Sequence, residues 1–261
     1  MTLDILVCVK RVPATGGKIT LTPDERHIDT RYASFTMSPH EECGVEEALR
    51  LVEKHGGTTT VLTLGPAVAA DQLRDAMAMG VQRAILLQTG ENEWDPGETA
   101  RAIVTEIERQ RAAGHDFDLV LVGNEAADSG DYQVGIRVAH ALGRPAVNGV
   151  KSLEITGSTA VVKREAAGGW EIFEIDLPAV IGVKEGINLP RYPTVPGRLR
   201  AKKAPIETRM LSEPADGLAS LRMRRLKLPP AKGEKGETLG RGVEAVPALV
   251  EVLRRLEIVT P

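Results

Sequence analysis

Short apolar runs alternate with helix-forming stretches through the first 190 residues, and that order leaves few folds open. Leu3 to Val9, Thr59 to Leu64, Ala84 to Leu87 and Phe117 to Val122 are rich in Val, Ile and Leu rather than strictly alternating. That pattern suits strands buried on both faces. Between them, helical patterning runs over about 39–55, 66–79, 96–113 and 131–143. Two of these helices carry explicit start signals. Ser38-Pro39-His40-Glu41 has the residues of a capping box with proline in the first turn, and Asp95-Pro96-Gly97-Glu98 repeats the arrangement. Strand–helix alternation of this kind predicts an α/β fold with a doubly wound, mostly parallel sheet and right-handed crossovers.

Residues 162–183 depart from that rhythm. Val162 to Glu171 reads as a β-hairpin, with Gly168-Gly169 supplying the positive φ angles of a tight turn. Leu177-Pro178 ends the second strand, because proline cannot donate to a ladder, and Ala179 to Val183 begins another apolar strand.

Charge changes along the chain. From Arg198 to Arg241 there are twelve Lys/Arg against five Asp/Glu, a net +7 that leaves the remainder at −10 for a total of −3. The same stretch is rich in Pro and Gly and lacks apolar periodicity until Val243, so it reads as an extended arm. Beyond it, Val250, Leu253 and Leu256 recur at helical spacing. The expected division is an α/β domain over 1–190 and a partner-facing loop and arm over 191–261.

Several chemistries are excluded by what the sequence lacks. The overall charge of −3 makes no case for nucleic-acid binding. Cys8 and Cys43 are the only cysteines, one in an apolar strand and one in a helix, so no disulfide framework is expected. The five histidines form no i, i+4 pair or metal-ligand spacing, and no metal is expected. No run approaches the roughly 18 apolar residues of a spanning helix, and the N-terminus does not read as a signal peptide; the expected location is the cytoplasm, without membrane insertion. G-x-G-x-x-G, a complete P-loop and G-x-S-x-G are missing, and no catalytic residue is assigned.

One stretch does suggest a ligand. Sheets of this class bind ligands beyond the carboxyl ends of their strands, where strand order reverses. Gly123 to Asp131 is small and polar, and leads into a helix whose free N–H groups suit phosphate oxygens.

The chain also carries blocks of residues in a recognisable order. They are Val7-Cys8-Val9-Lys10-Arg11-Val12-Pro13, Met37-Ser38-Pro39, Val45-Glu46-Glu47-Ala48 and Leu64-Gly65-Pro66-Ala67. Ala76-Met77-Ala78-Met79-Gly80, Asp118 to Gly123, Gln133-Val134-Gly135, the hairpin block and Arg191-Tyr192-Pro193-Thr194-Val195-Pro196 with Lys202-Lys203 complete the set. In this order they resemble the beta subunit of electron transfer flavoprotein, over nearly the whole chain.

That resemblance implies a Rossmann-like, adenine-nucleotide-binding fold and a heterodimer whose alpha subunit holds most of a redox-active FAD. It implies AMP in this subunit, at Cys8, Ser38, Pro39, His40, Glu41, Leu64 and Leu119, Val120, Leu121, Val122, Gly123, Asn124, Glu125, Ala126, Ala127, Asp128, Ser129, Gly130, Asp131, Tyr132, Gln133 and Val134. Electron-bifurcating relatives hold a second FAD in place of AMP, and that variant stays open. Thr15, His40 and Glu165 would lie near the flavin. The positions of Thr15 and His40 are often aromatic in the family, so the resemblance implies no aromatic stacking by them here.

Electrons would pass from acyl-CoA dehydrogenases or similar flavoenzymes to a quinone reductase, making this an electron carrier rather than an enzyme. Arg191, Tyr192, Thr194, Val195 and Leu199 would form the partner-recognition loop, with Val195 at the anchor position where leucine is usual. The other reading is a stand-alone adenine-nucleotide-binding sensor or stress module of the same fold. It accounts for the sheet and the 123–135 loop but not for the hairpin block or the basic arm.

Overall fold

The computed structural model describes residues 2–14, 19–90, 92, 94–212, 221, 224–229 and 236–259. Its strands are β1 (Leu3–Cys8), β2 (Val12–Pro13), β3 (Phe35–Thr36), β4 (Gly57–Gly65), β5 (Arg83–Gln88), β6 (Leu119–Gly123), β7 (Ala146–Thr156), β8 (Thr159–Ala166), β9 (Gly169–Asp176), β10 (Ala179–Val183) and β11 (Glu207–Met210). The helices are α1 (Pro39–His55), α2 (Ala70–Met79), α3 (Pro96–Ala112), α4 (Val134–Leu142), α5 (Val195–Lys203) and α6 (Val246–Arg255).

Nine strands form one sheet in the order β11-β5-β4-β1-β6-β10-β7-β8-β9. The first seven run parallel, and β7, β8 and β9 are antiparallel neighbours. Alternate side chains of each central strand go to opposite layers. Ile5 and Val7 join the core made with α1 and α2, while Leu6 and Cys8 join the core made with α3 and α4. The chain leaves β1 outward through β4 and β5, then returns to lay β6 on the other side of β1. Strand order therefore reverses between β1 and β6, with Cys8 in register with Val122. The expected doubly wound, mostly parallel sheet is present.

The start signals work as expected at α1. Ser38 Oγ accepts from the Glu41 N–H, and the Glu41 carboxylate accepts from the Ser38 N–H. At α3 the Asp95 carboxylate accepts from the N–H groups of Gly97 and Glu98. The hairpin forms from β8 and β9 with Ala166 paired to Gly169. Only Gly168 has positive φ (88°); Gly169 is already extended strand, which corrects the double-glycine expectation. Pro178 separates β9 from β10 as expected.

Three departures matter. The hairpin has a third member, β7, which joins it to the parallel sheet through β10. The segment Arg191 to Leu199 is a loop only as far as Thr194, whose hydroxyl caps α5 by accepting from the Gly197 N–H. The expected boundary at 190 falls within the packed body, because α5 lies on α2 and β11 extends the sheet beside β5. Glu207–Met210 has no apolar run to announce a strand. Its place is secured by ion pairs of Glu207 with Arg83 (3.0 Å) and of Arg209 with Glu106 of α3 (3.8 Å).

Helix α4 seats closely on β6, because a Cβ at Gly135 would meet Val122 Cγ2 at 2.6 Å. Gly135→Ala is expected to destabilise the protein by about 1–3 kcal/mol through overpacking. Gly236→Ala, where a Cβ meets nothing within 4 Å, is the control and should be near neutral. Denaturant unfolding midpoints at constant m-value would measure both.

Candidate functional site

The carboxyl ends of β1, β6 and β10 open onto one crevice at the strand-order reversal. Its floor is organised by Glu41, which is 6% exposed. One carboxylate oxygen accepts from the Lys10 N–H (2.9 Å) and the other from the Ser38 N–H (3.0 Å). Burial pushes the Glu41 carboxyl up to about 7 against the opposing effect of these hydrogen bonds. Cys8, below it, is driven up to about 12 by burial and by Glu41, so it stays a thiol and is no nucleophile at neutral pH. Gly123 ends β6 directly against this cluster, since a Cβ there would meet Glu41 Cγ at 3.0 Å and His40 Cβ at 3.5 Å.

The loop after β6 forms the rim. Lys10 Nζ pairs with Asp128 at 2.8 Å, joining the exit of β1 to the middle of the loop. The loop closes on itself through Ala126 N–H to the Asp131 carbonyl, Gly130 N–H to the Ala126 carbonyl, and Gln133 N–H to Asp131 Oδ1. Asn124 N–H donates to the Val183 carbonyl, which ties the loop to β10. Gly130 takes positive φ (66°) with open space around its missing side chain, so glycine is favoured there by conformation rather than crowding.

On the outer side, His40 Nδ1 accepts from the Glu185 N–H (2.8 Å), which places the proton of the neutral ring on Nε2. Nε2 lies 3.7 Å from Glu125 Oε1. The Tyr132 hydroxyl first, then His40 and Asn124, hold the Glu125 carboxyl below its ordinary value.

Helix α4 begins at this rim with no side-chain cap, Gln133 being its N-cap residue; α2 and α6 also lack one, whereas α1, α3 and α5 are capped by Ser38, Asp95 and Thr194. Its first N–H groups are therefore available to an anion.

The expected site residues fall into distinct groups. Cys8, Ser38, His40, Glu41 and Gly123 through Val134 surround the crevice. Leu119, Val120 and Leu121 have no exposed surface and lie in the sheet beneath it, so β6 presents only its end. Leu64 is half-buried near the end of β4. Glu165 is exposed on β8 and pairs with Lys151 at 2.9 Å, and Thr15 lies outside the described residues. Lys10 and Glu185 were not singled out from sequence. The position of Lys10 at the end of β1 was a usable signal; the role of Glu185 needed the pairing of β10 with β6. Among the described residues no group of acidic, His or Cys side chains could hold a metal. Among them, too, no helix is long and apolar enough to cross a membrane.

Of the expected recognition residues, Tyr192, Val195 and Leu199 are exposed, at 93%, 72% and 60%. Val195 and Leu199 are four residues apart on α5 and share its outward face, while Gly197 and Ala201 are buried on the inner one. Arg191 is instead bound to α1, with its guanidinium on Glu46 (2.8 Å) and Glu53 (2.5 Å).

Glu41 links this site to pH. Its folded-state value lies above that of an unfolded glutamate, so the folded state binds the extra proton, and its contribution is full below about pH 4.5 and lost as pH rises through about 7. Glu41→Gln should flatten that decline, narrowing its stability deficit relative to the parent by on the order of 1–3 kcal/mol between pH 5 and pH 8. A deficit that stays constant across that range in denaturant titrations would show that Glu41 does not titrate there.

Comparison with known proteins shows the family. A family model described as "Electron transfer flavoprotein domain" matches residues 27–214. The electron transfer flavoprotein subunit beta of Bacillus subtilis is 34% identical over 257 residues, covering 97% of this chain and 98% of that protein. The human subunit beta is 34% identical over 209 residues, covering 78% and 80%. A subunit of the caffeyl-CoA reductase–Etf complex of Acetobacterium woodii is 31% identical over 268 residues, covering 98% and 99%. With the Bacillus subtilis subunit matching over nearly the whole of both chains, and the family model spanning well over half of this one, the chain belongs to the electron transfer flavoprotein family as a beta subunit.

Proposed function

We propose that this chain pairs with an alpha subunit that holds most of a redox-active FAD. The heterodimer carries electrons from acyl-CoA dehydrogenase-type flavoenzymes to a quinone reductase, and this subunit binds AMP as a structural ligand. The observation that carries the nucleotide assignment is the uncapped start of α4 at the strand-order reversal, beside a polar loop and a basic residue. The residues present fit a phosphate-bearing ligand. Backbone N–H groups of α4 are free of side-chain caps, Lys10 stands at the rim, and burial favours the uncharged form of Glu41 up to about pH 7. AMP would be held by the loop Asn124 to Gln133, the first turn of α4 and the Ser38 corner.

FAD supplies the electron-accepting and electron-donating chemistry, and this chain shapes its surroundings. His40 presents a fixed Nε2–H donor on the outer side of the crevice, and Glu165 offers an exposed carboxylate. No side chain of the crevice is arranged as a nucleophile with its base. The exposed apolar residues around α6, including Val243, Val246, Leu249 and Leu256, support a partner subunit as their cover. A stand-alone sensor module would leave them unexplained.

The cofactor assignment is tested by co-expressing both subunits, denaturing the complex and separating the released nucleotides. One FAD and one AMP per heterodimer is the expected result, whereas two FAD and no AMP would replace the AMP reading with the bifurcating one. Partner docking through α5 has its own test. Val195→Ala should remove about 1–2 kcal/mol of apolar burial from the docked complex. That corresponds to roughly 5–30-fold weaker productive encounter with the dehydrogenase. Reduction by dithionite and flavin content should be unchanged. Unaltered dehydrogenase kinetics in both Val195→Ala and Leu199→Ala would remove α5 from the recognition surface.

A further inference from the structure

Helix α5 is held at both ends by α2. At its C-terminus the Ala201 carbonyl receives only a shared bond from the Ala204 N–H (3.3 Å), and the carbonyls after it lie beyond the reach of the helix's own N–H groups. There Arg74 of α2 reaches across, and its Nη1 donates to the carbonyls of Ala201 (2.5 Å) and Lys202 (3.2 Å), with Ala204 at 3.5 Å. A cation in this place satisfies the orphan acceptors and complements the negative end of the helix dipole. Three basic residues of α5's own last turn, Arg200, Lys202 and Lys203, complement the same negative end.

Near the N-terminus the two helices touch through backbone. A Cβ at Gly197 would lie 2.5 Å from the Ala78 carbonyl oxygen. The inner face of α5 supplies little else, with only Gly197 and Ala201 buried. A nine-residue helix with so small an apolar face has little packing energy to set its orientation. Arg191 on α1 and β11 in the sheet fix the chain on either side of it, and these two contacts set the orientation of the helix between them.

We propose that Arg74 is a positioning residue for partner docking: by capping α5 from α2 it holds the exposed pair Val195 and Leu199 at a fixed height and angle. The proposal rests on the reading of α5 as the docking element. Pre-organised presentation lowers the entropy lost when the partner engages, which appears in the half-saturating concentration rather than in the rate of the bound complex. Arg74 lies on the α1–α2 side of the sheet, away from the crevice, so cofactor content and chemical reduction do not depend on it.

The test uses the intact heterodimer as electron acceptor for an acyl-CoA dehydrogenase supplied with its acyl-CoA substrate. Arg74→Ala should raise the KM for the heterodimer roughly three- to tenfold with kcat little changed, as loss of charge-assisted hydrogen bonds would produce. Arg74→Lys, which keeps a cation able to reach the same carbonyls, should recover part of the loss. Gly197→Ala displaces α5 at its other end and should raise KM in the same way, which keeps the test decisive if Arg74→Ala folds poorly. In a Val195→Ala/Leu199→Ala background, adding Arg74→Ala should have no further effect, because its action runs through those side chains. If the Val195 and Leu199 variants raise KM while Arg74→Ala and Gly197→Ala do not, this proposal falls and the docking reading stands. If Val195→Ala and Leu199→Ala leave KM unchanged, the docking reading falls and the role of Arg74 with it. An additive effect of Arg74→Ala in the combined variant would also overturn the proposal.

Discussion

The crevice depends on the Glu41 carboxylate, which joins two segments that the chain itself keeps apart. Between the end of β1 and the start of α1 the backbone makes an excursion of more than 25 residues, whose ends are drawn together by the pairing of β2 with β3 and by further help from one side chain. Glu41 supplies that help from inside the fold, one oxygen on the Lys10 N–H and the other on the Ser38 N–H. A single side chain thus ties the exit of β1 to the start of α1 and completes the capping box with Ser38. Burial and hydrogen bonding oppose each other at this carboxyl, and burial prevails. The same crowding explains why β6 ends in glycine, since Gly123 faces Glu41 and His40 where a larger residue has no room.

Electrostatics around that centre are arranged in local pairs rather than as one field. Lys10 takes Asp128, Glu125 takes Tyr132 and approaches His40, and Arg191 takes Glu46 and Glu53. The basic arm is different. Its first part, α5 and β11, packs into the body, but beyond β11 the described residues touch that body sparingly. Arg225 stands 3.9 Å from Glu25, and the Leu226 N–H donates to the Glu25 carbonyl. Exposed ion pairs of this kind contribute little, and no residue of α6 is buried. Charge complementarity alone does not fold such an arm onto the sheet.

Much of this was legible because it is locally encoded. Ser38-Pro39-His40-Glu41 specifies a helix start by hydrogen bonds spanning four residues, and α1 begins at Pro39. Uninterrupted Val, Ile and Leu runs mark central strands because both faces of a parallel sheet are covered, and Leu119–Val122 is buried at every position. Features resting on distant partners were not legible. Glu207–Met210 becomes a strand because Arg83 and the open edge of β5 receive it. The turn at Gly168 needs one positive φ rather than two, since the register of β8 and β9 places Gly169 in the ladder. The proline-bracketed segment at 193–196 looked like a loop, but with Thr194 as cap Pro196 sits where proline suits a helix start.

By itself, then, the sequence determined the class of fold, the order of its elements, the glycine-bearing turn after β6 and the family to which the chain belongs. These follow from periodicity, caps and short motifs, which act over a few residues. Only the tertiary structure decided that Lys10 meets Asp128, that His40 leans on the Glu185 backbone, and that Arg74 caps a helix more than a hundred residues away in the chain. Such contacts depend on which strand lies beside which. That order is set by burying two apolar layers at once, a condition on the whole chain that no local stretch contains.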